Sequence, residues 1–316
     1  MAYAYRSKAF LQIVMNKTIR QFYFCPMPPK AGQELREDFK SIIEWIKVNS
    51  KDSEIIIFAE NDYVIEYCNF ENLLYIEKSL FMSSHTNMPC TQKMFKEVED
   101  RKLRNSYQIF MNDDLILNKR FEDLLNFADA LKENFLITGS RENIEAVSNS
   151  YSEKSKYQHW GTDYFIYKLP MPISIKPFVY GRYSWDAHLI NNVYKNKTRA
   201  NIKTIDASDL FKPLHLNRDY HWGPEGHTNA RQLNLSRLIF RNLKLLKIND
   251  WHTIKSFDWY LEKSSCTGGT ILLKPTSIKR KYLDSIQKIK HVISHIRLYF
   301  LNWMNENNYK SRNNVD

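Results

Sequence analysis

YQIFMNDDLIL, residues 107 to 117, carries the reading of the fold. Tyr107 to Met111 is a run of strand-favouring residues, and Asn112-Asp113-Asp114 ends it before the apolar Leu115-Ile116-Leu117. Asn and Asp favour turns because their side chains hydrogen-bond the nearby backbone. The segment therefore reads as a strand that stops at an acidic turn. Adjacent carboxylates in such a turn suit Mg²⁺ or Mn²⁺, with diphosphate oxygens filling the rest of the shell. The same tripeptide also suits an Asx turn or a helix N-cap before Lys119.

Similar strands surround this one. Residues 20 to 25 (RQFYFC) are rich in aromatics, and residues 54 to 59 (EIIIFA) form the continuous apolar run of a strand buried on both faces. Residues 135 to 138, 163 to 168 and 203 to 207 read as further strands. Helical spacing of apolar residues predicts helices over 34 to 48, 91 to 103, 119 to 133 and 185 to 194. Strands alternating with helices give an α/β fold with a mixed, mostly parallel sheet and flanking helices. Ligands in such sheets sit beyond the carboxyl ends of the strands. Polar residues that follow strands are therefore the candidate site.

The chain has 316 residues, which bounds it to one or two domains. Its 43% hydrophobic and 26% charged content is that of an ordinary globular protein rather than a disordered one. Only 8 residues are glycine, and neither glycine-built phosphate loop can be found. The net charge of +11 permits anionic partners without choosing among nucleic acid, lipid and phosphorylated small molecules.

Cys25, Cys68, Cys90 and Cys266 are widely spread, so neither a zinc knuckle nor a disulfide framework is expected. That favours a reducing compartment. There is no run of 18 apolar residues, and Met1 to Lys17 lacks a secretory core. The expected location is cytoplasmic. Near the end, Leu283, Ile286, Ile289, Ile293, Ile296, Phe300 and Trp303 recur at helical spacing. The stretch from Lys279 to Asp316 has 8 basic and 3 acidic residues. This is a basic amphipathic helix, suited either to a peripheral contact with an anionic membrane or to packing on the main domain. The expected organisation is a main domain over 18 to 275 and a helical extension over 276 to 316.

Several short blocks, in order, resemble the GT-A type of glycosyltransferase. More narrowly they resemble a little-characterised glycosyltransferase-like group with an Asn-x-Asp version of the usual Asp-x-Asp. The blocks are Met27-Pro28-Pro29-Lys30, EIIIFAEND (54 to 62), Asn87-Met88-Pro89, Asn112-Asp113-Asp114 and Thr138-Gly139-Ser140-Arg141. They continue with Gly161-Thr162-Asp163-Tyr164-Phe165, Gly181-Arg182-Tyr183-Ser184-Trp185-Asp186 and His215-Leu216-Asn217-Arg218-Asp219-Tyr220-His221. Together they cover roughly residues 20 to 260.

The resemblance implies a Rossmann-like GT-A domain that moves a sugar from a nucleoside diphosphate sugar to a glycan or other hydroxyl acceptor. It implies Mn²⁺ or Mg²⁺ at Asp114, completed by His215, with Asn112 standing where the first acid would be. Donor contacts would come from Glu60, Asp62, Asn112, Asp113 and Arg141. Asp186 would be the general base, with Asp163 as the second candidate, and Trp185, His221 and Trp222 would line the acceptor side. Each has a structural alternative: Asp186 suits a helix cap, Trp185 the core, and Arg141 a surface ion pair. A sugar nucleotidyltransferase of the same fold is disfavoured, because no glycine precedes Gly32. The other alternative is a non-enzymatic binder of RNA, polyanion or sugar on a degenerate transferase fold. The aromatics fall in apolar periodic segments rather than between exposed basic residues, which argues against nucleic acid.

Overall fold

The computed structural model describes residues 18–26, 35–84, 87–147, 150–151, 156–158, 162–168, 175–180, 185–217, 259–263 and 271–275. The extension at 276 to 316 lies outside them, as do His221 and Trp222. No described helix is long and apolar enough to cross a membrane.

β1 (Ile19–Phe24) alternates its side chains, as a strand must. Phe22 and Phe24 enter one core and Tyr23 enters the other. α1 (Glu37–Asn49) follows, with Phe39, Ile42, Ile43 and Ile46 buried at helical spacing. β2 (Ser53–Ala59) is buried through its last five residues, as its unbroken apolar run predicts. α2 (Asp62–Glu71) is capped by Asn61, whose side chain accepts from the Val64 N–H at 3.0 Å. Asn72 then ends it in the left-handed region, φ 54°. β3 (Leu74–Glu77), α3 (Lys78–Phe81) and α4 (Thr91–Asp100) lead to β4 (Ser106–Met111), all six residues of which are buried.

Beyond the acidic turn lie β5 (Leu115–Ile116), α5 (Lys119–Ala130), β6 (Asn134–Thr138), β7 (Arg141–Val147), β8 (Ser150–Tyr151) and β9 (Lys156–Gln158). β10 (Tyr164–Lys168), α6 (Trp185–Ala200), β11 (Ile202–Asp206) and β12 (Leu214–Asn217) follow. The last described strands are β13 (Trp259–Lys263) and β14 (Ile271–Pro275).

Nine strands form one sheet in the order β14-β13-β11-β6-β10-β4-β1-β2-β3. β10 runs antiparallel between β4 and β6, and β14 runs antiparallel at the far edge. The other neighbours are parallel. Helices cover both faces. α1, α2 and α5 pack on the core built on Phe22, Phe24, Ile57 and Ile109. α4 and α6 pack on the core built on Tyr23, Phe58, Phe110 and Phe165. This is a Rossmann-like α/β architecture, a mixed and mostly parallel sheet between two layers of helices. Every strand expected from the sequence is present, shifted by about one residue.

The sheet grows in one direction from β1 to β3, then restarts at β4 on the other side of β1. The crevice where that order reverses is where a doubly wound sheet binds ligand. It lies between Cys25 and Asn112, because Phe24 and Met111 are register partners. β10 is antiparallel, so its first residues reach the same edge, and Tyr164 opposite Met111 sets Asp163 beside Asn112.

Candidate active site

The acidic turn is fixed from both ends. Before it, Asn112 donates its backbone N–H to the Asp163 carbonyl at 2.8 Å and its side-chain Nδ2 to Asp163 Oδ1 at 2.8 Å. The Tyr180 hydroxyl donates to Asn112 Oδ1 at 3.1 Å. Arg141 Nη1 donates to both Asp163 oxygens, at 2.8 Å each. Asp163 is only 5% exposed, so its buried charge needs these partners. Burial drives the Tyr180 phenol well above its ordinary pKa, with Cys25, Asp113, Asp114 and Asp163 adding to the rise, so it stays a neutral donor.

After the turn, a second, smaller sheet takes over. β5 pairs antiparallel with β12, which places His215 opposite Leu115. β12 runs parallel to β7, with Leu214 opposite Glu142, and the Glu142 N–H donates to the Pro213 carbonyl at 3.0 Å. This pairing gathers three distant segments: Asp114 before β5, His215 within β12, and Arg141 at the start of β7. His215 Nε2 lies 3.0 Å from Asp114 Oδ2. The other oxygen, Asp114 Oδ1, and the other ring nitrogen, His215 Nδ1, are buried without a hydrogen-bond partner. Burial alone would raise the Asp114 pKa. The hydrogen bond and charge of His215, then the charges of Arg36 and Arg141, outweigh burial and hold it below the usual carboxylate value.

Arg36 enters from the start of α1. Its guanidinium lies 3.5 Å from Asp38, 4.0 Å from Asp113 and 3.7 Å from Asp114. Nothing in the sequence ties Arg36 to residues 113 and 114. The link exists only because α1 follows β1, and β1 is the spatial neighbour of β4.

The remaining candidates are placed differently. Glu60, at the end of β2, accepts from Cys25 Sγ at 3.7 Å on the same edge. Burial, then Glu60 and Asp113, push the Cys25 thiol up, so it stays neutral. Asp62 is exposed in the first turn of α2, next to the capping Asn61. Asp186 sits in the first turn of α6, partly exposed. Trp185 is 8% exposed and packs against Tyr180, Phe165 and Phe110, with ring centroids 5.1, 5.4 and 5.9 Å away. It forms part of the core beneath Asn112 and its partner Tyr180.

Among the described residues, no group of three or more His, Cys, Asp or Glu side chains could hold a metal ion. The Asp114–His215 pair nevertheless offers an oxygen and a nitrogen ligand, with one carboxylate oxygen lacking a donor. That set fits Mn²⁺, which accepts imidazole, provided other oxygens complete the shell.

No family model matches the chain, and no curated protein matches it in sequence. Solved structures do. The chain is similar to glucosyl-3-phosphoglycerate synthase from Mycobacterium tuberculosis in complex with Mn²⁺, UDP and phosphoglyceric acid. That match has 12% identity, 84% of this chain and 91% of the other covered, and a TM-score of 0.40. The same enzyme with Mg²⁺ and UDP gives 12% identity, coverage of 83% and 89%, and a TM-score of 0.42. The 4-diphosphocytidyl-2C-methyl-D-erythritol synthase of Anaerococcus prevotii DSM 20548 gives 8% identity, coverage of 73% and 100%, and a TM-score of 0.35.

Proposed function

We propose that the chain transfers a sugar from a nucleoside diphosphate sugar to a hydroxyl acceptor. The observation that carries this reading is the Asp114–His215 contact at the crevice between β1 and β4. An acid and an imidazole from segments about 100 residues apart meet where a doubly wound sheet binds nucleotides. Asp114 and His215 would hold Mn²⁺ or Mg²⁺. When bound, the ion would neutralise charge developing on the departing diphosphate.

The chain's own residues divide the remaining work. Glu60 and Asp113 face the donor from the edge of the crevice. Asp163, committed to Asn112 and Arg141, acts as a positioning group that fixes the turn and aims Arg141. Asp186 is the general base: its carboxylate takes the acceptor hydroxyl's proton as the new glycosidic bond forms and the bond to the nucleoside diphosphate breaks. Residues 18 to 275 make up the transferase domain, and 276 to 316 its basic extension.

A transfer assay tests the reading. The chain is incubated with UDP-, GDP- or CMP-sugars, Mn²⁺ and a mixture of glycan acceptors, and nucleotide release is measured. Asp186→Asn should bind the donor as wild type does and lose at least about 100-fold in release, the scale of a general base. Unchanged release in that variant would remove Asp186 from the role. Donor binding with no release under any condition would favour a sugar-binding protein on a transferase fold.

A further inference from the structure

Among the described residues, two arginines of the site are held in contrasting ways. Arg141 grips Asp163 through one nitrogen at 2.8 Å to each oxygen, the geometry of a committed charge-assisted pair. Arg36 faces three carboxylates at 3.5, 3.7 and 4.0 Å, all beyond good hydrogen-bonding distance. Its Nε and Nη2 are buried without a hydrogen-bond partner, and Asp114 Oδ1 beside it also lacks a donor. Arg36 is the N-cap residue of α1, and its guanidinium, which has no acceptor, cannot cap the helix. Buried donors and acceptors left unmade are costly. They accumulate here on Arg36 and on the carboxylate 3.7 Å from it.

We propose that Arg36 is an exchangeable counter-ion, which neutralises the Asp113-Asp114 turn until a divalent cation binds there and then passes to the donor's diphosphate. This rests on the donor-site reading above. A guanidinium about 4 Å from a carboxylate occupies the space where a metal's positive charge would lie, so the two compete. Once displaced, its planar fork of N–H donors matches phosphate oxygens bidentately. The N-terminus of α1 adds partial positive charge on the same side. No bond is made or broken in the exchange. One cation replaces another on the carboxylates, and the freed guanidinium gains an anion.

Two binding measurements on the full chain test it: Mn²⁺ titrated without nucleotide, and UDP titrated in saturating Mn²⁺. In Arg36→Gln, Mn²⁺ should bind about 10-fold tighter, because a competing positive charge is gone. UDP with Mn²⁺ saturating should bind about 10-fold weaker, because charge-assisted hydrogen bonds to the diphosphate are lost. Arg36→Lys keeps the charge and should bind Mn²⁺ as wild type does, which also controls for folding. Opposite shifts in the two titrations support the exchange, since simple damage to the site would weaken both. Mn²⁺ affinity unchanged or weaker in Arg36→Gln, with both ligands bound by wild type, overturns the role of Arg36 alone. Failure of wild type to bind either ligand overturns the donor-site reading, and this inference with it.

Discussion

Asn112 and Asp163 are joined twice, once through the backbone and once through their side chains, at 2.8 Å each. The amide of Asn112 uses both of its ends: Nδ2 donates to Asp163 while Oδ1 accepts from Tyr180. A carboxylate has no donor to offer Asp163. An amide at position 112 therefore has a physical reason in this chain: it braces the turn, while Asp114 faces His215.

Asn112→Asp is expected to cost about 2–4 kcal/mol at neutral pH, because it sets two carboxylates at hydrogen-bond distance in a buried place. The sign with pH is fixed. A carboxyl held beside a carboxylate has a raised pKa in the folded protein, so the penalty is small in acid and grows as pH rises through that value. Urea denaturation at pH 4.5 and 7.5 reads this directly, and equal loss at both would contradict it.

Gly139 leaves no room for a side chain. A Cβ there would lie 2.4 Å from Tyr164 Oη and 3.0 Å from the Ser208 backbone nitrogen. Gly139→Ala should lose about 1–3 kcal/mol. The nearest atom is a hydroxyl oxygen, so adding Tyr164→Phe should restore part of the loss. A double variant no more stable than Gly139→Ala would show that the backbone contact, not the hydroxyl, sets the cost.

Asp114 contributes to stability through its depressed pKa. Such a group stabilises the fold at pH values above its ordinary value of 3.8, and that contribution is lost as pH falls through the lower folded value. In metal-free protein with a chelator present, Asp114→Asn should flatten the acid limb of the stability profile below about pH 4. An acid limb as steep as wild type's would contradict the depressed pKa.

Trp185→Ala should destabilise the chain by about 3–5 kcal/mol, the cost of emptying a packed aromatic site. Phe70, 81% exposed, provides the comparison, and its alanine variant should stay within about 0.5 kcal/mol of wild type. Thermal unfolding of the two separates a core aromatic residue from a surface one.

Much of the fold was legible because it depends on local periodicity. The all-apolar run at 54–59 reads as a doubly buried strand, and Phe39, Ile42, Ile43 and Ile46 read as one helix face. β3, two of whose four residues are exposed, carries too little pattern to be seen. The small sheet escapes for another reason. β5 has only two residues, and its partner β12 lies about 100 positions away, so pairing rather than periodicity creates it.

The candidate site divides the same way. Asp114 and His215 could be singled out by residue type and by their place after strands, but their contact required the register of β5 with β12. Arg36 carries no motif, and its relation to Asp113 and Asp114 follows from sheet order alone. Trp185 beside Asp186 has the local sequence of an exposed sugar platform. Its burial among Phe110, Phe165 and Tyr180 is a tertiary fact that neighbouring residues do not encode.

The most direct measurement is a thermal-shift titration of wild type and Asp114→Ala with UDP, GDP and CMP sugars, with and without Mn²⁺. A donor site at the acidic turn requires that at least one nucleotide sugar raise the wild-type melting temperature only when Mn²⁺ is present. Asp114→Ala should fold and show no such shift. No metal-dependent shift in wild type, or the same shift in both proteins, would contradict a donor site built on Asp114.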